Sequence, residues 1–134
     1  MAPILCCGIL SGCESRAELK DIEPIIREAW STCSFVKVEN LRKVNGISRG
    51  EEYVLSIGYD LIVQYEVAPN DDELGSTSAF SQNCKGGSQI IALVKLKVQQ
   101  FGYQKGWKKG QALAVAGEYT FVHSENGWVL SSAR

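Results

Sequence analysis

The chain has 134 residues, 45% of them hydrophobic and 22% charged, with a formal net charge of −1. This is a globular composition of one-domain size. It excludes a disordered chain, requires neither a metal nor a disulfide for folding, and gives no global case for nucleic acid as a partner. The charge is uneven along the sequence: residues 1–73 hold 7 basic and 13 acidic residues (−6), and residues 74–134 hold 7 and 2 (+5).

The first thirteen residues, MAPILCCGILSGC, carry no charge. Ala2 to Leu10 is an apolar run and Ser11-Gly12 supplies small residues, as the later parts of a secretory signal do. A Lys or Arg near the start is absent. The run is too short to cross a bilayer, which takes about 20 residues. Leu10-Ser11-Gly12-Cys13 resembles the bacterial lipobox, an aliphatic residue and two small ones before a cysteine. The resemblance implies cleavage before Cys13 and transfer of diacylglycerol to its thiol, with several acyl chains giving stable anchoring. The expected organisation is a signal peptide over 1–12, shortened or beginning upstream of Met1, and one α+β domain over 13–134 with Cys13 lipidated. The alternative is a buried N-terminal strand, MAPILCCGIL. Aspartate after the lipidated cysteine is linked to inner-membrane retention in enteric-type bacteria. Here Glu14 follows, so that rule does not decide the membrane; the preference is the outer membrane, facing the periplasm.

Five cysteines are present, Cys6, Cys7, Cys13, Cys33 and Cys84. None are spaced C-x-x-C, and the single histidine, His123, is remote in sequence, so no structural zinc site is expected. In the lipoprotein reading Cys6 and Cys7 leave with the signal and Cys13 carries lipid. Cys33 and Cys84 then remain as two thiols in an oxidising compartment, and are a candidate disulfide. The alternative is two separate buried thiols.

Residues 14–33 read as a helix, firm from Ile22 to Cys33, with Leu19, Ile22, Ile26, Ala29, Trp30 and Cys33 in one stripe. Ser15 to Glu18 has the form of a capping box, and Asp21 is the alternative cap, with Pro24 in the first turn. Residues 35–44 read as a strand ending at an Asn45-Gly46 turn, with a second turn signal at Ser48 to Glu51. Tyr53 to Val67 alternates with period two and reads as a long strand, bent at Gly58. Residues 68–89 read as a polar loop. Ile90 to Gly102 is ambiguous, with helix preferred for its first half, Ser88 as a possible cap and Gly102 as its end. Leu113 to His123 alternates again, and Ser124 to Gly127 is a hairpin turn before a returning strand at Trp128 to Leu130.

The expected fold is α+β, an N-terminal helix packed on a curved, mainly antiparallel sheet. Gly117-Glu118-Tyr119-Thr120-Phe121-Val122-His123-Ser124-Glu125-Asn126-Gly127-Trp128 resembles the closing hairpin of small cystatin-like or NTF2-like lipoproteins of bacteria. That resemblance implies a sheet with a concave face and no particular ligand.

Catalytic signals are sparse. His123 stands at a strand end with Glu118 on the opposite face and Glu125 in the turn, which reads as a solvated turn histidine. Asp60 and Glu66 share a face of the long strand and read as solvated carboxylates. Lys85-Gly86-Gly87-Ser88 is too short for a phosphate loop. The notable stretch is Phe101 to Gly110, where aromatics interleave with lysines and glycines. Tyr103, Lys105, Trp107, Lys108 and Lys109 are candidate contacts to a protein or envelope surface; the bland alternative tucks Trp107 and Phe101 into the core edge. The expected function is a non-enzymatic, membrane-tethered envelope lipoprotein, a small binding or adaptor domain without cofactor or metal. Its expected partners are the membrane, through the lipid anchor, and another envelope protein. The alternatives are a soluble NTF2-like ligand-binding or dimerising protein, and an enzyme acting through Asp60 or His123.

Overall fold

The computed structural model describes residues 16–69 and 78–133. The expected signal peptide, Cys13 and the Ser15 cap lie outside the described residues. The described elements are α1 (Leu19–Ala29), β1 (Val36–Arg49), β2 (Glu52–Val63), α2 (Ala79–Asn83), α3 (Gly87–Phe101), β3 (Ala112–Ser124) and β4 (Gly127–Ala133). The fold is α+β, with helix packed on an open antiparallel four-stranded sheet in the order β1-β2-β3-β4. Contacts cluster into two compact units. Among the described residues, one comprises 16–21, Arg42–Ile57 and 117–133, and the other Ile22–Leu41 and Gly58–Ala116.

In the first of these units, the start of α1 is capped three residues later than the Ser15 expectation. The Glu18 backbone N–H donates to the Asp21 carboxylate at 2.8 Å, which satisfies one of the free donors of a helix start. β1 does not turn at Asn45-Gly46. It runs on to Arg49, and the reversal comes at Gly50, in the left-handed region at φ 62°. Gly46 serves packing instead: a Cβ there would fall on the Tyr53 phenol. The Tyr53 ring also packs 6.1 Å from Trp128. β3 and β4 form the expected hairpin, with Ser124 opposite Gly127 across Glu125-Asn126 and a register shift between Thr120 and Phe121.

The other unit holds most of α1, with Ile22 and Ile26 buried and Pro24 accommodated inside the helix. α1 stops at Ala29, short of the expected Cys33, because Ser31 folds back on Glu28 O through both its N–H and its hydroxyl. β2 ends at Val63 rather than Val67 and runs through Gly58 as one strand. Beyond it Gln64 N–H donates to Phe35 O, and Val67 pairs with Trp107 in an isolated antiparallel bridge. The polar stretch expected as loop contains α2, capped by the Ser78 hydroxyl accepting from Ser81 N–H at 3.1 Å, with Phe80 fully buried. α3 is helical throughout. Its buried pair Leu93 and Lys97 is spaced i, i+4, so the period-two pattern of Val94, Leu96 and Val98 has no strand behind it. Gly86 rather than Ser88 occupies the N-cap, and Gly102 ends the helix with its N–H on Val98 O. The Gln100 amide makes two bonds to the Ala114 backbone, at 2.7 and 2.9 Å, tying the end of α3 to β3.

Candidate functional site: a cleft beside Trp107

The loop after α3 takes its shape from the turn that swings Trp107 inward. Gly106 sits at φ 87°, and a Cβ there would lie 2.7 Å from Val67 O, closer than atoms pack. Trp107 N–H and C=O then bond Val67, each at 2.9 Å, and Gly110 N–H reaches Val63 O at 2.8 Å. The indole enters the core at 1% exposure. It meets Phe35 edge-on at a centroid distance of 5.4 Å and Phe80 at 5.3 Å, while Phe35 and Phe80 lie 4.8 Å apart. Lys97 Nζ stands 4.4 Å from the indole centroid, the geometry of a cation–π contact, which explains a lysine only 6% exposed. Among the described residues, Trp107 Nε1 has no hydrogen-bond partner.

Two clefts flank this indole. The larger, about 190 Å³, has Phe80, Val94, Val98 and Trp107 as apolar lining and Lys97, Gln104 and Lys105 as polar lining. The smaller, about 80 Å³, is bordered by Glu66, Lys97, Lys105, Lys108 and Gln111. An apolar floor beneath ammonium groups suits an amphipathic anion.

The structure divides the five candidate loop residues. Tyr103 is 89% exposed, Lys105, Lys108 and Lys109 are exposed, and Trp107 is buried, so its ring packs the core and presents nothing to solvent. No protein-family model, curated protein or solved structure matches this chain. The site is therefore read from its own geometry.

Cys33 and Cys84 are joined by a disulfide, facing each other in an isolated antiparallel bridge. Flanking bonds, Phe35 N–H to Asn83 O and Lys85 N–H to Thr32 O, make this a short ladder between the α1–β1 and α2–α3 connections. Asp60 accepts from the Asn40 amide at 3.1 Å, and Asn40 occupies the left-handed region at φ 58°. His123 is exposed at the hairpin, with its ring 4.9 Å from that of Trp128. Burial pushes the Tyr59 phenol above its ordinary value, while the bond it accepts from Trp30 Nε1 at 3.0 Å opposes the shift. Among the described residues, no cluster of three or more His, Cys, Asp or Glu is placed to hold a metal, and no helix is long and apolar enough to cross a membrane.

Phe80 and Lys97, which line the larger cleft, were not among the residues singled out from the sequence. Phe80 had a signal, as a lone aromatic in a polar stretch; Lys97 had one only once the helical period of α3 was settled.

Proposed function

We infer that the protein is a membrane-tethered lipoprotein of the bacterial envelope, anchored through Cys13, whose folded part is a small binding or adaptor module. The observation that carries the reading is the Cys33–Cys84 disulfide. Structural disulfides persist in oxidising compartments and are rare in the cytosol. That agrees with a chain whose first residues look like an export signal ending in a lipobox. The cleft beside Trp107 supports a binding role, because its lining offers Lys97, Lys105, the Gln104 amide and the exposed Tyr103 ring. A leading helix and a four-stranded antiparallel sheet support placing the fold with the curved cystatin-like or NTF2-like class, with α2 and α3 inserted between β2 and β3. The soluble NTF2-like alternative is favoured by the same cleft, read as a pocket for a small ligand.

Globomycin, which blocks lipoprotein signal cleavage, discriminates the two. In a bacterial host the expected result is accumulation of a longer precursor on gels. An unchanged band contradicts the tether and leaves the soluble ligand-binding reading.

A further inference from the structure

α3 leaves an apolar stripe in solvent. Ile91, Val94, Val98 and Phe101 recur at spacings of three, four and three, which places them on one flank of the helix. Ile91 is 59% exposed and Val94 and Phe101 are 38% exposed, while Leu93 and Lys97 face the core. Tyr103, directly after the Gly102 cap, extends the stripe and is almost wholly in water. A contiguous exposed apolar surface of this kind marks an interaction site.

The charge carried by α3 and the loop after it has one sign. Residues 78–116 contain six lysines and no Asp or Glu. Lys95, Lys105, Lys108 and Lys109 are exposed. Glu66, at the smaller cleft, is the described carboxylate bordering this loop.

Three occupants can be weighed by what the surface would have to bury. A second copy, meeting the same patch about a two-fold axis, would set lysines against lysines. A nucleic acid would meet the lysines and leave Ile91 and Val94 in water. An anionic lipid surface satisfies both parts, because its phosphates face ammonium groups while the acyl boundary receives aliphatic and aromatic side chains. We propose that α3 and the loop after it rest on an anionic phospholipid surface. Ile91, Val94, Phe101 and Tyr103 enter the headgroup–acyl boundary, and Lys95, Lys105, Lys108 and Lys109 meet the phosphates. The proposal depends on the tethering reading only for a bilayer held close by. It makes the domain lie down on that bilayer instead of hanging from its anchor.

The test is sedimentation of the full chain carrying Cys13→Ser, so that no lipid contributes, with phosphatidylcholine vesicles containing or lacking phosphatidylglycerol. Binding to the anionic vesicles and its loss at about 1 M salt are expected, since screening there acts within about 3 Å. Each lysine near an anionic surface strengthens binding by roughly fivefold. Lys105→Glu/Lys108→Glu/Lys109→Glu should therefore weaken binding about a hundredfold or more, and Ile91→Ser/Tyr103→Ser should weaken it independently. All five positions are exposed, so the variants should keep the parent's thermal midpoint. Equal binding to neutral vesicles, or binding that both variants leave unchanged, overturns the proposal. Because Cys13 is replaced, neither outcome touches the lipidation reading.

Discussion

Trp107 joins the site to the core. Its ring packs on Phe35 and Phe80 and beneath Lys97 Nζ, so its removal would leave a cavity and a buried lysine without its aromatic face. Trp107→Ala should lower stability in urea unfolding by about 3–5 kcal/mol. Trp107→Phe, which retains an aromatic and removes a buried N–H lacking a partner among the described residues, should cost clearly less. Tyr59 gives a pH signature. Its phenol is held above the ordinary 10.0 by burial, so the folded state favours the neutral form. Its contribution to stability is complete below pH 10 and falls as pH rises toward the folded-state value. Unfolding midpoints that drop from roughly pH 10 upward in the parent, and drop less in Tyr59→Phe, are the expected result. Trp107 also shows what the sequence could not settle. The sequence offered two readings of it, a surface contact or a ring tucked into the core edge; the buried indole matches the second, while Phe101, paired with it in that reading, stays 38% exposed.

Local patterns were legible where one face of an element is buried. The β3–β4 hairpin follows from alternation plus a turn dipeptide, and the end of α3 follows from Gly102. They were misleading where a distant residue decides. Asn45-Gly46 is a turn signal by local chemistry, yet the Tyr53 ring lies over Gly46 and keeps the pair in β1. Gly46→Ala should therefore destabilise by more than about 1 kcal/mol, as read by thermal unfolding, because it displaces the Tyr53 hydroxyl that accepts from Lys43 Nζ at 3.3 Å. The ladder around the disulfide was invisible for the same reason, since Cys33 and Cys84 are 51 residues apart. In the chain-entropy view, closing a loop of that length stabilises by at most about 4 kcal/mol. Cys33→Ala/Cys84→Ala should lower the urea midpoint markedly. Both cysteines are at most 2% exposed, so mild reductant should act on the native protein only through unfolding.

At the level of the whole molecule, the uneven charge seen in the sequence acquires a location. Five of the six lysines of residues 78–116 lie on α3 and the loop after it, the elements that carry exposed Ile91 and Tyr103. In the function proposed above, export, the disulfide and a basic apolar surface would belong together, in a domain that works in an oxidising compartment and is tethered through Cys13. Mass spectrometry of the protein recovered from bacterial membranes tests that picture most directly. The expected species lacks residues 1–12 and begins at a Cys13 carrying diacylglycerol; a chain that retains Met1 with Cys13 unmodified would contradict it.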